Sequence, residues 1–282
     1  MNPAPSAQRT ISRACVLAGY GLHTGERTAV RCLPAPKGTG VTFVLNGVEI
    51  PARLDAVVDS HRGVTLGRGG VVVRTVEHLL AAASALGIAN LRVEVDGEEL
   101  PALDGSARPF ADALTAAGAV TQGVAWRPVD LAEPVWVSRG ATFVLALPAP
   151  ILRVTYVVPT GIPSLGTQSI DIRDPAGVFT EQLAPARTWG FASEAAALRA
   201  EGLARGASED NTLGLGPEGF LWPPRFDDEP ARHKVLDLLG DIALLGRPLR
   251  AHVLAVAAGH ALHVELARAI EKRQEAADGS GA

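Results

Sequence analysis

Polar side chains interrupt an otherwise apolar stretch near residue 240. His233, Asp237 and Asp241 recur every fourth residue, which places them on one face of a helix. Leucine and isoleucine fill much of the remaining circumference, so most of this helix is expected to be buried. Burying a carboxylate without a partner costs several kcal/mol, so something must balance these two acids. A divalent cation bound by His233 and Asp237 would do so.

Two more clusters place a histidine in the opening turn of a predicted helix. Glu77-His78 begins the first long helix, and Gly259-His260 begins the last one. His78 could supply a third ligand, because two histidines, one carboxylate and an open position for water form a common catalytic zinc site. Asp241 could then hydrogen-bond an imidazole and orient it.

The residues of the long helix also have an ordinary structural interpretation. His233 and Asp237 could form an ion pair across one helical turn. Asp241 could cap the helix or pair with Arg247. On this helix alone, the spacing is a weak indication of metal binding.

The two helix starts have equally plain alternatives. Glu77 could lie in a first turn because a negative charge suits the positive end of the helix dipole. His78 could be a hydrogen-bonded core histidine, and His260 an exposed residue. Each alternative is favoured when taken singly. Three histidines and three acids, at helix starts and on one buried face, together favour a metal site.

Composition limits the class of protein. The 282 residues are 47% hydrophobic and 20% charged, which suits one large folded domain or two smaller ones. A formal net charge of −4 gives no reason to expect nucleic-acid binding. The only cysteines, Cys15 and Cys32, cannot form a dense disulfide framework, so we expect free thiols, with one disulfide between them as the alternative.

The sequence also predicts where the protein works. No apolar run approaches the ~20 residues that cross a bilayer, and the first residues lack the features of a signal peptide. We expect a soluble, cytoplasmic monomer that binds a small molecule, without a nucleic-acid partner or a transmembrane segment.

Alternating residues predict strands in the first third of the chain. These segments are 10–17, 28–33 and 41–45. Thr75 has the residue type of a helix N-cap, and the helical pattern after it ends at Gly87. A further strand covers 91–95, and Pro109 opens a second helix. This order predicts an α+β unit whose helices cover one face of a mainly antiparallel sheet.

The pattern lapses into a linker-like stretch at 120–128 and then begins again. Strands are predicted at 131–137, 142–147, 152–158 and 249–258, and helices at 193–204, 230–245 and 260–275. The repeated order predicts an N-terminal α+β domain (1–125) and a C-terminal α+β domain (126–282). The second domain would carry a short helical insert near 192–206 and a disordered tail beginning at residue 276.

At these residues and in the segments around them, the chain resembles the UDP-3-O-acyl-N-acetylglucosamine deacetylases, which are zinc amidases of lipid A biosynthesis. The resemblance extends from about residue 8 to residue 274. The matching segments are 21–25 (GLHTG), 75–78 (TVEH), 103–106 (LDGS), 186–188 (ART) with 190–191 (GF), 232–241 (RHKVLDLLGD) and 259–260 (GH). Any one segment is a weak match, but their order and spacing are specific as a set.

The resemblance implies a fold and a metal site. The fold is α+β, with two similar layers packed face to face around a central zinc cleft. Each layer is a small mixed sheet with two helices. His78, His233 and Asp237 would hold Zn²⁺, with Fe²⁺ as the alternative ion in the cell.

The resemblance also implies catalytic roles. Glu77 would be the general base, and His260, oriented by Asp241, the positively charged or acid partner. Thr188 would hydrogen-bond the oxyanion of the hydrolysed amide. The division of proton transfer between Glu77 and His260 stays open at this point.

A second set of positions would contact the substrate, a nucleotide sugar with an acyl chain. They are Lys234, His23, Trp189 and Phe191. The acyl chain would pass along the segment 191–206, although ordinary amphipathic packing explains its apolar residues equally well.

Several positions depart from the family pattern. Ala257 stands where a lysine near the diphosphate is usual, and residues 157–163 replace a segment near the nucleotide. His263 stands where asparagine is usual, and Trp189 where phenylalanine is usual. The metal and proton-transfer residues are intact, whereas the nucleotide side is altered.

The sequence therefore predicts a metal-dependent hydrolase. It would remove the N-acetyl group of UDP-3-O-acyl-N-acetylglucosamine and release acetate and the free amine. One alternative is the same reaction on a different N-acetylated sugar. Another is a non-catalytic zinc-containing binding protein.

Overall fold

The computed structural model describes residues 6–279. In this part of the chain, alternating apolar residues form nineteen strands, and segments with long apolar faces form five α-helices. The strands up to residue 126 are β1 (Ser6–Ile11), β2 (Cys15–Tyr20), β3 (Arg27–Pro34), β4 (Val41–Leu45), β5 (Val48–Pro51), β6 (Val57–Asp59), β7 (Thr65–Arg68), β8 (Val71–Arg74), β9 (Leu91–Val95) and β10 (Ala119–Trp126). The later strands are β11 (Val129–Asp130), β12 (Val135–Arg139), β13 (Thr142–Pro148), β14 (Arg153–Pro159), β15 (Thr167–Arg173), β16 (Trp189–Phe191), β17 (Leu213–Gly216), β18 (Gly219–Phe220) and β19 (Leu249–Val256). The helices are α1 (Glu77–Ala85), α2 (Arg108–Ala117), α3 (Ala195–Ala200), α4 (Glu229–Ile242) and α5 (His260–Gly279).

Two five-stranded arrangements repeat the same topology. One has the order β2-β3-β9-β4-β5, and the other has the order β12-β13-β19-β14-β15, with β11 added beside β19. In both, the successive pairs are antiparallel, antiparallel, parallel and antiparallel. A long helix precedes the central strand of each sheet and another follows it: α1 and α2 flank β9, and α4 and α5 flank β19. The predicted α+β fold with two similar layers is therefore confirmed.

Helices α1 and α4 form the contact between the two layers. Every residue from Val235 to Ile242 is buried, as the apolar circumference of α4 requires. Gly240 lies directly against the backbone of α1, where a β-carbon would collide with the carbonyl oxygen of Glu77. Only glycine permits this close approach, which brings the acidic start of α1 next to the polar face of α4.

Three smaller sheets complete the structure. Strands β6, β7 and β8 form one, β16, β17 and β18 form another, and β1 pairs with β10. The predicted linker at 120–128 is therefore largely a strand, because β10 pairs in an antiparallel register with β1. One predicted strand, 10–17, is in fact the end of β1 and the start of β2, separated by a bend.

The predicted helices are present, but several of their bounds differ from the prediction. The helix predicted at 193–204 covers only Ala195–Ala200, and the one predicted at 230–245 is α-helical from Glu229 to Ile242. Thr75 is not an N-cap: α1 is preceded by Val76, and no side chain caps it. The Thr75 backbone is left-handed (φ 57°), and its hydroxyl instead donates to Glu99. Pro109 lies in the first turn of α2, as predicted. Helix α5 continues through Gly279, so the tail predicted to be unstructured begins within it, and residues 280–282 lie outside the described part.

Cys15 on β2 lies directly opposite Cys32 on β3, and both are free thiols. Among the described residues, no helix combines the length and apolarity needed to span a membrane. The division into domains at residue 125 stays a prediction.

Candidate metal-dependent active site

The three predicted metal ligands lie together at the junction of α1 and α4. Nε2 of His233 is 3.2 Å from Oδ1 of Asp237, and Nε2 of His78 is 3.8 Å from the same oxygen. The two imidazole rings meet edge to face, with centroids 5.1 Å apart. All three side chains are buried, and their ligand atoms lie within 4.8 Å of one another.

This donor set fits a divalent transition-metal ion. Nδ1 of His233 lies 3.0 Å from the backbone carbonyl of Ala186, which leaves Nε2 directed at the cluster. Burial alone would raise the pKa of Asp237, but the charges of His233 and Lys234 hold it well below its usual range. The carboxylate is therefore ionised and available as a ligand. Two imidazoles and one carboxylate are the donors that zinc and related ions prefer.

Glu77 lies beside this cluster at the start of α1, and it is buried. Its Oε2 accepts a hydrogen bond of 3.0 Å from the backbone N–H of Val64. Burial raises the pKa of Glu77, against the opposing charges of His260 and His78. The helix dipole alone therefore does not account for Glu77, which is a buried carboxyl group with a raised proton affinity.

His260 lies on the opposite side of the cluster, at the start of α5. Its Nε2 is 3.7 Å from Oδ2 of Asp237 and 4.0 Å from Oε1 of Glu77. Burial alone would lower the pKa of His260, but the charges of Asp241 and Asp237 raise it to about 9. At neutral pH this imidazole is a cation held within reach of a buried carboxyl group, which is the arrangement that acid and base catalysis needs.

Asp241 accepts hydrogen bonds from two imidazoles through one oxygen. Oδ2 is 2.9 Å from Nδ1 of His260 and 2.7 Å from Nδ1 of His263. These three residues could also be grouped as metal ligands. Their spacing, however, is that of charge-assisted N–H···O bonds, which satisfy Oδ2 of the carboxylate without an ion. Arg247 donates to the carbonyls of residues 127 and 128 and is not the partner of Asp241.

A cavity of about 600 Å³ opens over the cluster. Its walls include the ligands His78, His233 and Asp237 together with Glu77 and His260. Thr188, Trp189 and Lys234 also line it. The Lys234 ammonium group bonds Oδ2 of Asp237 at 2.9 Å and lies 5.8 Å from the centre of the Trp189 ring.

Two other predicted substrate contacts lie outside this wall. Phe191 packs edge to face on Trp189, with ring centroids 5.7 Å apart. His23 bridges two segments: its Nε2 is 3.2 Å from the carbonyl oxygen of Arg62, and its Nδ1 accepts from the backbone N–H of Ala204. Neither residue lines the cavity. Leu22, next to His23, does.

The amino-acid sequence of the chain also matches a known protein family. The family model LpxC, UDP-3-O-acyl N-acetylglycosamine deacetylase, matches residues 8–272. A UDP-3-O-acyl-N-acetylglucosamine deacetylase of Trichormus variabilis is 42% identical over 273 residues, which cover 93% of this chain and 98% of that protein. The chain belongs to this deacetylase family.

Further relatives agree over similar lengths. The UDP-3-O-acyl-N-acetylglucosamine deacetylase of Thermosynechococcus vestitus is 43% identical over 274 residues, covering 95% of each chain. That of Myxococcus xanthus is 40% identical over 276 residues, covering 96% of this chain and 88% of the relative. The match extends across both layers of the fold and is not confined to the metal cluster.

Two of the positions that depart from the deacetylase pattern, Ala257 and the segment 157–163, adjoin each other. The N–H of Ala257 donates to the carbonyl of Val157 at 2.9 Å, so the end of β19 adjoins the altered segment 157–163. Ala257 has a left-handed backbone (φ 50°) and lines the cavity. Arg139 and Arg62 line the same cavity, so its rim carries arginines although no lysine stands at 257.

Sequence reasoning missed a buried acid that organises the loop at 21–25. Glu99 accepts from the backbone N–H groups of His23 and Thr24, both at 2.8 Å. It also accepts from the hydroxyls of Thr24 at 2.7 Å and Thr75 at 3.1 Å. The available signal was a glutamate next to the apolar pair Leu100-Pro101, but nothing in its spacing connects it with residue 23.

Proposed function

We propose that this chain catalyses the hydrolysis of the N-acetyl group of UDP-3-O-acyl-N-acetylglucosamine, releasing acetate and the free amine. The single observation that carries the proposal is the convergence of His78, His233 and Asp237 beneath a cavity that Glu77 and His260 also face. Membership of the deacetylase family supplies the substrate class. In the organism, this reaction would belong to lipid A biosynthesis.

We propose that His78, His233 and Asp237 hold the ion, with Zn²⁺ as the expected metal and Fe²⁺ as the alternative. A bound divalent ion supplies Lewis acidity, which polarises the amide carbonyl and makes water a better nucleophile near neutral pH. Asp237 brings a single negative charge to the site. With one carboxylate among the three protein ligands, a divalent ion would keep a net positive charge at the site.

Glu77 and His260 divide the proton transfers in this proposal. Glu77, buried and with a raised pKa, takes the proton of the attacking water. His260, a cation at neutral pH, gives a proton to the departing amine nitrogen. Their reacting atoms are 4.0 Å apart, so one bound amide group can reach both.

The remaining cavity residues orient the substrate. The Thr188 side chain faces the cavity from the segment that precedes β16, and it can donate its hydroxyl proton to the developing oxyanion. Lys234 places its ammonium group beside Asp237 at the cavity wall. Trp189 supplies an apolar surface there, with Phe191 packed behind it.

The rim arginines are the proposed partners of the diphosphate. Arg139 pairs with Glu265 and Arg62 pairs with Glu194, each at 2.8 Å and each exposed. Exposed ion pairs of this kind contribute little stability, so a phosphate can replace the carboxylate partner at low cost. This gives the altered nucleotide side two cations to offset the absence of a lysine at 257.

An acetate-release assay tests the proposal. The zinc-loaded chain is incubated with UDP-3-O-acyl-N-acetylglucosamine and, separately, with UDP-N-acetylglucosamine, which lacks the acyl chain. We expect acetate from the first substrate, and a rate about 10²- to 10⁴-fold lower for Glu77→Gln, which removes the base but keeps its shape. Equal activity of the two proteins would reject the assignment of Glu77.

Two further outcomes would change the substrate or the function. Acetate released faster from UDP-N-acetylglucosamine would indicate a different N-acetylated sugar. A zinc-containing protein with no activity on either compound would favour a binding role. The nucleotide-sugar substrate agrees with a cytoplasmic location, and size-exclusion chromatography tests the expected monomer.

A further inference from the structure

His263 is a buried histidine that the reaction proposed above does not use. It lies on α5, three residues after His260, is fully buried, and is not part of the cavity wall. Its Nδ1 is 2.7 Å from Oδ2 of Asp241. Its Nε2 is 2.8 Å from the hydroxyl of Tyr156 on β14, and the two rings meet edge to face. The imidazole is therefore held at both ends.

The hydrogen bonds define which nitrogen carries the proton. Asp241 is ionised, so Nδ1 of His263 must donate to it. The opposite nitrogen lies 2.8 Å from the Tyr156 hydroxyl, and that hydroxyl donates its one proton to the carbonyl oxygen of Ala258 at 2.8 Å. Because an ionised carboxylate can only accept, Nδ1 of His263 is a donor toward Asp241 whatever the protonation of Nε2.

Asp241 depends on this donor for its orientation. Both of its imidazole partners bond the same oxygen, Oδ2. Within the described part of the chain, Oδ1 is buried and has no hydrogen-bond partner. Among the described residues, the hydrogen bonds that orient the carboxylate are therefore those to its Oδ2. Of the two imidazoles, His260 lines the cavity, whereas His263 lies behind it and is held on its other side by Tyr156, so His263 is the fixed restraint.

We propose that His263 is a positioning residue for the deacetylation proposed above. Tyr156 contacts His263 on one side, and His263 holds Oδ2 of Asp241 in place on the other. Asp241 in turn holds His260 with Nε2 toward the cavity. Without His263, the carboxylate can rotate, and the acid partner of Glu77 loses its alignment. The expected change in kcat rests on the proposed function. The expected orientation of Asp241 and His260 rests on the hydrogen bonds alone.

Two amides of similar size provide a matched test. Asparagine places its amide nitrogen near the position of Nδ1, so His263→Asn keeps the donor to Asp241. Glutamine extends to the position of Nε2, so His263→Gln keeps the contact with Tyr156 and loses the donor. We expect kcat to stay within about threefold for the first variant and to fall on the order of 10- to 100-fold for the second, as for other residues that orient a catalytic group.

The other kinetic readouts separate positioning from general damage. KM should change less than about twofold in both variants, because His263 does not face the substrate, and zinc content should stay at the wild-type level. Equal losses of kcat in the two variants would overturn the proposal. A rise in KM that accounts for the whole loss would do so too.

A spectroscopic measurement covers the case in which the proposed function itself fails. In ¹⁵N-histidine-labelled protein, the Nδ1 proton of His260 should remain visible by NMR in His263→Asn and be lost to exchange in His263→Gln. If wild type releases no acetate but these signals behave as expected, the deacetylation is wrong and the positioning stands. An unchanged His260 signal in the glutamine variant would overturn the positioning.

Discussion

A methyl group added at Gly240 should disturb both the stability of the chain and its metal site. Gly240 lies in α4 where that helix meets α1, and a β-carbon there would lie 2.7 Å from the carbonyl carbon of Glu77 and 2.8 Å from its Cα. Comfortable contacts between such atoms begin at about 3.4 Å. Gly240→Ala therefore forces the two helices apart by roughly 0.7 Å or more.

The expected magnitude combines two opposing effects. Alanine favours a helix over glycine by about 1 kcal/mol, which alone would stabilise α4. Overpacking of a close helix contact costs about 1–3 kcal/mol, and the cost here should lie in the upper part of that range, about 2–3 kcal/mol, because the obstacle is backbone, which cannot turn away. The net result is a loss of about 1–2 kcal/mol, and for a chain of this size Tm should fall by roughly 2–8 °C.

The same displacement reaches the metal ligands. His78 follows Glu77 in α1, whereas His233 and Asp237 belong to α4. Ligand distances in a working site must hold within about 0.2 Å, so a shift of several tenths of an ångström should lower zinc affinity. Thermal unfolding and zinc titration of Gly240→Ala measure the two effects. Gly190→Ala is the control, because a β-carbon at 190 meets no atom within 4 Å.

A Gly240→Ala protein that melts at or above the wild-type temperature and binds zinc normally would refute this reasoning. It would mean that the helices can separate without cost. A loss of stability in Gly190→Ala of the same size would show that the effect is not specific to the α1–α4 contact.

Three further predictions concern the metal, the pH dependence and the loop at 21–25. His233→Ala should reduce bound zinc well below one per chain in elemental analysis, while His252→Ala, a histidine outside the cavity, should not. Activity should rise with pH as Glu77 ionises, and burial raises the pKa of this residue. Activity should fall near pH 9 as His260 loses its proton. A flat profile from pH 5 to 9 would contradict the assignment. Glu99→Gln should lower the free energy of unfolding by about 1–3 kcal/mol, because an amide nitrogen cannot accept the hydrogen bonds from Thr24. Glu98 is exposed, so Glu98→Gln should leave the unfolding temperature unchanged.

The sequence was informative where one helix carries the pattern. The four-residue spacing of His233, Asp237 and Asp241 places them on one face without any knowledge of the tertiary structure. The repeated order of strands and helices likewise predicted two similar layers. What it could not supply was the approach of α1 to α4, which depends on Gly240 and a backbone atom of the other layer.

Residues that act through distant partners were hidden for the same reason. His263 was visible only as a departure from the family pattern, because its partner Tyr156 is 107 positions earlier in the chain. Thr75 has the residue type of an N-cap, but its hydroxyl bonds Glu99, and a tertiary contact replaced the local one. Local propensity describes the helix starts well and fails where a side chain has a better partner elsewhere.

The central claim is that His78, His233 and Asp237 bind one ion together. The most direct test is a crystal structure of the zinc-loaded chain with anomalous data collected at the zinc absorption edge. The account predicts one strong peak within about 2.0–2.2 Å of Nε2 of both histidines and of an Asp237 oxygen. A peak at Asp241, His260 and His263 with none at the predicted ligands would contradict it.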